Sequence, residues 1–465
     1  MKARHLVDYY GHDAGLLEAE RRRHQVLGQR FVDRYGPGPV RCFRTPGRIN
    51  LIGEHTDYNG GFVMPVALDR DVLLAVRPRD GAVVSVANVE EQFSPFSFSL
   101  STDIPRAPRG DWRNYFQGAA QELCRRFGDR HDLKGAEILV ASAPPLGVPR
   151  GAGLSSSTAL TVNAALTLVA RNEIEIERDE LAHLCSEAEW YVGTRGGMMD
   201  QFSALLCQRD HALFLDCRPS PHGAYHVEHV PIPDEVQIVL LDSGVHHENV
   251  RGTFNQRVAE CKIGVHLLQQ RYPRIAQLRD VTPTNLQLAE DDFWEMIEEV
   301  LPARATRSEL VAAGVACSWL GEIIADHGLP ADATFTILAR CRHVITENER
   351  VLAGVTALRA GQIETFGLLM DAAHASMSGD YDASCLEVDT LVSLTRQEPA
   401  ILGARITGAG WGGGVVALAR RDASTAWVER VHAAYHSSTG RNARILICRP
   451  GSGAGEVACP DKIRP

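Results

Sequence analysis

The spacing of apolar and polar residues divides the chain into strand-like and helix-like segments. Runs rich in β-branched residues predict strands at 72–76, 83–87, 136–140, 212–215, 236–241 and 415–419. Helical spacing predicts helices at 112–127, 159–169 and 178–191, and a mostly helical region at 256–400. The strands between residues 71 and 98 are expected to be antiparallel. The helix at 159–169 is apolar nearly all round, so it should be buried.

The two ends of the chain carry a different pattern. Residues 1–40 are charged and amphipathic up to a Gly-Pro-Gly-Pro break, which predicts a leading surface helix. Its arginine run, Arg21 to Arg23, is expected to face solvent. The segment from Pro450 onward is rich in Gly and Pro and is predicted to be a loose tail.

Composition limits the class of protein. A chain of 465 residues can form two or three domains, and 45% hydrophobic with 23% charged residues is typical of a globular protein. The net charge of −10 argues against nucleic acid as a partner. Eleven dispersed cysteines without a CxxC pair indicate reduced thiols. With no signal-peptide pattern and no run of about 18 apolar residues, we expect a cytoplasmic protein that does not enter a membrane.

One glycine–serine turn, residues 149–160, is the strongest local signal. Glycines expose consecutive backbone N–H groups, and a helix starting at the serines would direct its positive dipole end at the turn. A phosphate suits such a site. The turn lacks the lysine of a Walker A motif, which excludes an ordinary P-loop ATPase. The alternative is that the serines only cap a helix.

A polar loop holds Arg48, Glu54, His55 and Asp57 within ten residues and ends in Asn-Gly-Gly. So many donors and acceptors suit a polyhydroxylated ligand. A solvated charged loop is the alternative.

Three further segments carry possible chemistry. Asp200 follows a glycine pair, either as a functional carboxylate or as a helix N-cap. The glycine-dense stretch at 403–414 predicts close backbone approach to a ligand or to another loop. The cluster at 246–248, His-His-Glu, lacks HExxH spacing, so a metal site there is not favoured.

Taken in chain order, these stretches resemble the GHMP kinase family and, within it, the galactokinase group. The matching segments are the sugar signature at 47–61, the ATP motif at 149–160, the catalytic-aspartate segment at 197–201 and the third motif at 407–414. The likeness covers nearly the whole chain, with the motifs in the order of the family.

The resemblance implies ATP-dependent phosphorylation of the C1 hydroxyl of galactose. It also implies an α/β (α+β) fold of two domains with mixed or antiparallel sheets packed by helices, and an active site between the domains. We place the domains at 1–212 and 213–465, and we expect a monomer.

The resemblance also assigns roles to residues. Asp200 would face the C1 hydroxyl, with Arg48 beside it and beside the transferred phosphate. Sugar hydroxyls would be held by Glu54, His55, Asp57 and the backbone at Gly197. ATP would be bound by Gly151, Gly153, Leu154, Ser155, Ser156 and Ser157. Ser156, or a neighbouring serine, and Glu189 would serve Mg²⁺.

Some residues depart from the family pattern: Thr158 replaces Ala, Gly196 replaces Cys, Trp411 replaces Phe, and Gly414 replaces Cys. Phe254 stands where a sugar-contacting Tyr is expected, and the missing hydroxyl removes one hydrogen bond, typically about 0.5–1.5 kcal/mol. Two alternatives therefore stay open, a kinase for a related sugar and a galactose- and ATP-sensing regulator without catalysis. The intact serines with Arg48 and Asp200 argue against the regulator.

Overall fold

The computed structural model describes residues 3–151, 153–192, 197–245 and 250–458. The helices are α1 Leu6–Tyr10, α2 Ala14–Tyr35, α3 Arg113–Phe127, α4 Ser156–Arg171, α5 Arg178–Val192, α6 Met199–Leu206, α7 Val250–Arg271, α8 Pro283–Leu286, α9 Glu290–Val300, α10 Arg307–Ala312, α11 Cys317–Asp326, α12 Leu338–Arg359, α13 Ile363–Gly379, α14 Leu386–Arg396 and α15 Ala426–Thr439. The strands are β1 Arg41–Asn50, β2 Phe62–Val63, β3 Pro65–Pro78, β4 Val83–Asn88, β5 Phe96–Ser99, β6 Ala136–Ala141, β7 His211–Asp216, β8 Val227–Pro231, β9 Val236–Asp242, β10 Ala305–Thr306, β11 Thr334–Phe335, β12 Ile401–Thr407, β13 Gly414–Arg420, β14 Arg444–Cys448 and β15 Gly455–Val457. Short 3-10 helices lie at Asp57–Asn59 and Leu278–Asp280.

The chain forms two compact units. The first contains Met1–Ile49, Pro65–Leu213 and Cys448–Pro465, and the second contains Asn50–Met64 and Phe214–Ile447. The single domain boundary at 212/213 stays a prediction, and the units differ from it in residues 50–64 and 448–465. The reason is pairing between distant segments: β15 pairs with β1, and β2 pairs with β7.

The first unit is built on a six-stranded sheet in the order β15-β1-β3-β6-β4-β5. Helix α4 packs against α3, α5 and strand β3, and Asn163 Nδ2 on α4 donates to the Val72 carbonyl at 2.9 Å. Most of α4 is buried, as its apolar sequence predicts. The helix that leads out of the glycine–serine turn is therefore anchored in the core of its unit.

The strands between residues 71 and 98 are antiparallel, as predicted. Strand β4 pairs with β5 in opposite directions, and β3 also runs opposite to β4, although β6 lies between β3 and β4. The expected loose tail is wrong for residues 450–458. There Gly455–Val457 pairs with β1, and most residues are buried.

A buried ion network around Asp71 joins distant parts of the first unit. The buried Arg44 donates from Nε to Asp71 Oδ2 at 2.6 Å and from Nη1 to the Ser452 carbonyl at 2.7 Å. Arg23 Nη1 donates to Asp71 Oδ1 at 2.8 Å, and the Tyr10 hydroxyl donates to Oδ2 at 2.6 Å. Burial alone would raise the pKa of the Asp71 carboxyl, but the two guanidiniums outweigh it and lower the pKa.

Arg23 therefore does not belong to a solvated face, as the sequence suggests for the arginine run. Its side chain is 12% exposed, and Nη2 also donates to the carbonyls of Asp71 at 2.9 Å and Ala141 at 3.2 Å. Helix α2 is thereby fastened to the strands beneath it.

We expect Asp71→Asn to lower the free energy of unfolding by about 3–5 kcal/mol, because it leaves the buried Arg44 guanidinium without its counter-charge. Urea unfolding followed by far-UV circular dichroism measures the change. Asp33→Asn is the control, since Asp33 is exposed on α2 and should change stability by less than about 0.5 kcal/mol. Equal unfolding curves for D71N and the parent would contradict the network's role.

The second unit is centred on a four-stranded sheet in the order β12-β13-β9-β14, with β13 antiparallel to both β12 and β9. The predicted helical region at 256–400 holds α7 to α14, interrupted by the short antiparallel pair β10–β11. A three-stranded sheet, β2-β7-β8, carries the end of the polar loop.

Two further properties concern all the residues that the structure describes: the state of the cysteines and the character of the helices. The ten described cysteines are free thiols. Within the same ranges, no helix combines the length and apolar character that a membrane crossing needs.

Candidate active site

The glycine–serine turn leads directly into helix α4, which begins at Ser156 as the sequence predicts. Gly151 and Gly153 have φ of 75° and 74°, a region that glycine enters without a Cβ penalty; Ala152 lies outside the described residues. Ser155 is in the N-cap position, but its side chain makes no capping bond within the described residues. Since first-turn N–H groups lack partners inside a helix, those of α4 are available to an anion.

Arg48 and Asp200, the predicted catalytic pair, form a two-pronged ion pair. Arg48 Nε donates to Asp200 Oδ1 at 2.6 Å, and Nη2 donates to Oδ2 at 3.0 Å. Nη1 of the same guanidinium donates to the Gly153 carbonyl at 2.5 Å. The Ser155 hydroxyl donates to Asp200 Oδ2. One guanidinium therefore joins the carboxylate to the glycine–serine turn.

The sequence places Arg48 in a loop, but it lies on strand β1, which continues through Pro46 and Gly47 to Asn50. A Cβ at Gly47 would lie 2.9 Å from Val148 Cγ1 and 3.1 Å from the Leu154 carbonyl. Glycine is required there because the strand passes so close to the chain entering the turn. Arg48 is thus held by a rigid strand and is only 6% exposed.

Asp200 is not a helix N-cap, which was the alternative. Helix α6 starts at Met199 with Met198 in the capping position, so Asp200 lies inside its first turn. Its carboxylate is bonded by Arg48 and Ser155 instead. Gly197, just before this helix, is half-buried, and Gly196 lies outside the described residues.

Glu189 on α5 is a half-buried carboxylate. Its Oε1 accepts a bond from Thr158 Oγ1 at 2.5 Å. Burial raises the pKa of Glu189 to about 7, and the Asp200 charge adds to the shift. Within the described ranges it forms no ion pair. A divalent cation would supply the missing positive charge, and the oxygen donors of Glu189 and Ser156 fit Mg²⁺.

The side chains that the structure describes do not form a complete metal cage here. The described residues contain no cluster of three or more His, Cys, Asp or Glu side chains suited to a metal. Mg²⁺ commonly takes only one or two protein ligands and completes its shell with waters and substrate phosphates. The histidine pair at 246–247 and Glu248 lie outside the described residues.

In the second unit, Glu54 joins the polar loop to the glycine-dense turn. Its Oε1 accepts bonds from the Gly408 N–H at 2.8 Å and the Thr407 hydroxyl at 3.1 Å. A Cβ at Gly410 would lie 2.2 Å from the Ala383 carbonyl. The close approach that these glycines predict is therefore to protein, and the solvated-loop alternative is wrong for Glu54, which is 2% exposed.

His55 is buried and uses both ring nitrogens. Nε2 donates to the Ala409 carbonyl at 3.1 Å, so Nδ1 accepts from the Tyr58 hydroxyl at 2.6 Å. Burial lowers the pKa of His55 to about 3, so the ring is neutral at pH 7. The ring of Phe254 lies 5.7 Å from that of His55 and 5.2 Å from that of Tyr58, between centroids. Phe254 thus packs against the aromatic side chains of the polar loop.

Asp57, the last residue of the predicted sugar set, is half-buried at the start of a 3-10 helix. Its carbonyl accepts a bond from the Gly60 N–H at 3.0 Å. The four predicted sugar-loop residues are therefore distributed over two elements: Arg48 on β1, and Glu54, His55 and Asp57 on the loop after it.

Comparisons with known proteins identify the family. The galactokinase galactose-binding signature matches residues 29–78, the GHMP kinases N terminal domain matches 114–208, and the GHMP kinases C terminal domain matches 355–437. A galactokinase from Roseiflexus sp. (strain RS-1) is 40% identical over 440 residues, covering 94% of this chain and 98% of that protein. The chain belongs to the galactokinases of the GHMP kinase family.

Other relatives agree. A galactokinase from Chloroflexus aurantiacus is 38% identical, covering 92% of this chain and 96% of that protein. The crystal structure of Lactococcus lactis galactokinase complexed with galactose has a TM-score of 0.74 and 29% identity, covering 93% of this chain and 99% of that one. Mevalonate kinase from Methanococcus jannaschii, at TM-score 0.55 and 15% identity, shares the fold. The predicted family and α/β fold are confirmed.

Three of the residues that depart from the galactokinase pattern make defined contacts in the structure. Thr158 is the residue that bonds Glu189. Trp411 has φ of 55°, and its indole N–H donates to the Asp382 carbonyl at 3.0 Å. Gly414 begins strand β13, opposite Thr407 on β12.

Sequence reasoning missed several residues of this galactokinase site. The link of Ser155 to Asp200, the bond of Tyr58 to His55 and the support of Glu54 by Thr407 were not predicted. Tyr58 and Thr407 lie inside recognised motifs, so a motif search could have found them. Contacts between such distant positions carry no local signal.

A further support, Glu347 on α12, holds the start of the polar loop. Its Oε1 accepts a bond from the Gly53 N–H at 2.8 Å, and its Oε2 accepts one from Arg350 Nε at 2.6 Å. Burial alone would raise the pKa of Glu347, but Arg350 and Arg405 outweigh it and lower the pKa to about 2.

At pH 7 we expect Glu347→Gln to lower the free energy of unfolding by about 3 kcal/mol, since one pKa unit corresponds to ~1.4 kcal/mol. Because the folded-state pKa is depressed, this stabilisation is present above about pH 4.5 and is lost as the pH falls toward 2. Urea unfolding at a series of pH values should show the gap between variant and parent closing in acid. Glu295→Gln, at an exposed position on α9, is the control. A gap independent of pH would refute the assignment.

Proposed function

We propose that this chain transfers the γ-phosphate of ATP to the C1 hydroxyl of galactose, giving galactose 1-phosphate and ADP. The observation that carries the proposal is the Arg48–Asp200 pair bonded to the glycine–serine turn, in a chain whose residues 29–78 match the galactose-binding signature. The Lactococcus lactis relative, crystallised with galactose, supports the choice of sugar.

In this proposal Asp200 accepts the proton of the attacking hydroxyl, and Arg48 neutralises charge on the carboxylate and the transferred phosphate. Three donor atoms already engage the Asp200 carboxylate and hold it in place. Phosphoryl transfer needs little early deprotonation of the attacking hydroxyl, because its loose transition state depends mainly on positioning and charge neutralisation.

The ATP side of the site would be the turn and the start of α4. The backbone from Gly151 and Gly153 to Leu154, followed by Ser155, Ser156 and Ser157, would hold the phosphates, with the helix dipole favouring their negative charge. Ser156 and Glu189 would hold Mg²⁺, which when bound neutralises charge on the phosphates.

The sugar side would be the polar loop. Glu54, His55, Asp57 and the backbone of Gly197 would bond hydroxyls, while Phe254 offers an apolar face and no hydroxyl. Because both nitrogens of His55 are already bonded, a sugar hydroxyl must replace Tyr58 or the Ala409 carbonyl. We propose that the binding partners of the protein are the sugar and ATP. We also propose that it is a cytoplasmic monomer that binds neither nucleic acid nor membrane.

We expect Asp200→Asn to lose most turnover, by about 100-fold or more, while still binding sugar, because the amide cannot accept the proton. A coupled assay of ADP release measures turnover, and calorimetry measures sugar binding. Asp179→Asn is the matched control, since Asp179 also lies in the first turn of a helix. Near-normal turnover of purified D200N would remove the proposed role.

The same assay over a panel of sugars tests substrate identity. We expect galactose to be the preferred sugar and Phe254→Tyr to change its KM by no more than about tenfold, as one added hydrogen bond allows. Preference for an N-acetylated or deoxy hexose or for arabinose would favour a related sugar kinase. Binding without ADP release from any sugar would favour a regulator.

A further inference from the structure

Arg279, in the 3-10 helix Leu278–Asp280, lies at the end of the polar loop. Its Nη1 donates to the Gly60 carbonyl at 3.1 Å. The guanidinium also forms a two-pronged ion pair with Asp216, in which Nη2 lies 2.9 Å from Oδ2. Its Cζ is 4.0 Å from the centroid of the Phe62 ring. The planar fork, only 10% exposed, thus joins a carboxylate, a carbonyl and an aromatic face, which a lysine cannot do at once.

The turn that Arg279 bonds is packed on two further sides. Gly60 has φ of 64°, and a Cβ there would lie 2.1 Å from Gln277 Nε2. A Cβ at Gly61 would lie 2.3 Å from Asn348 Oδ1, which accepts a bond from the Phe62 N–H at 2.8 Å. The positive φ favours glycine at Gly60, and a side chain at either glycine would displace the Gln277 or the Asn348 side chain.

Two backbone bonds connect this turn to the sugar-binding part of the loop. The Gly60 N–H donates to the Asp57 carbonyl at 3.0 Å, and the Gly61 N–H donates to the Thr56 carbonyl at 2.8 Å. Gly60 thus receives Arg279 at its carbonyl and holds Asp57 through its N–H. If the Arg279 guanidinium moved, Gly60 would move with it, and so would Asp57, which Gly60 bonds.

We propose that Arg279 is a positioning residue for the polar loop, which fixes the Gly60–Gly61 turn and through it the place of Asp57. The inference rests on the proposed role of this loop in sugar binding. Arg279 contacts neither Arg48 nor Asp200 among its described bonds. It therefore sets the affinity for the sugar and leaves the phosphoryl-transfer step unchanged.

Arg279→Lys tests the proposal, because lysine keeps a positive charge for Asp216 but cannot bridge to Gly60 as the fork does. The sugar KM should rise about 3- to 10-fold, the range expected for one lost hydrogen bond, while kcat and the ATP KM change by less than about twofold. Arg271→Lys is the control, since Arg271 lies nearby, is 49% exposed and pairs with Glu299 at 2.8 Å. Its kinetic constants should match the parent.

Amide hydrogen exchange of residues 57–61, measured without substrate, gives a second readout. Exchange should be faster in R279K than in the parent and unchanged in R271K. Failure of either the KM change or the exchange change overturns the proposal. A parent protein that does not phosphorylate galactose refutes the proposed function instead, and the exchange readout alone then decides the role of Arg279.

Asp216→Asn keeps the proposal testable if R279K does not fold. It removes the counter-charge that fixes the Arg279 fork and leaves Arg279 itself in place. The same two changes should appear at smaller size, with Asp234→Asn, at an exposed position, as the control. A D216N protein with the parent's KM and exchange would overturn the proposal when R279K is insoluble.

Discussion

The candidate active site depends on the hydrogen bonds that the Arg48 guanidinium donates. This group holds both oxygens of Asp200 and the carbonyl of Gly153, so the carboxylate and the glycine–serine turn share one anchor. The anchor is rigid because Arg48 lies on a strand of the six-stranded sheet, β1, which passes closely beside the turn at Gly47. Only a planar fork with several fixed donors can bond three acceptors at once.

Three carboxylates of this protein, Asp71, Glu347 and Glu189, differ in the charged groups that face them. Asp71 and Glu347 are each neutralised by arginines, and their pKa values are lowered despite burial. Glu189 is half-buried and accepts a bond from the hydroxyl of Thr158, and its pKa is raised to about 7. Among the described residues it has no ion-pair partner, which favours a role in binding a cation.

The polar loop is held from outside at both ends. Glu347 bonds Gly53 near the start of the loop, and Arg279 bonds Gly60 at its end. Between them, Glu54 is bonded by the glycine-dense turn. The loop that carries the predicted sugar residues is therefore preorganised by side chains more than 200 residues away in sequence. Such preorganisation reduces the entropy lost on binding a ligand.

The sequence alone determined what local patterns encode: α3, α4 and β9 were predicted and are present, and the glycine–serine turn and the polar loop stand out as the candidate segments for chemistry. It also determined the family, because several motifs occur in a fixed order. Only the tertiary structure decided which distant segments meet. Strand β6 separates β3 from β4, β15 pairs with β1, Arg23 reaches Asp71, and Glu54 meets Gly408. These pairings depend on backbone hydrogen bonds and opposite charges between segments that only the folded chain brings together. The spacing of apolar residues within one segment does not show which other segment it will contact.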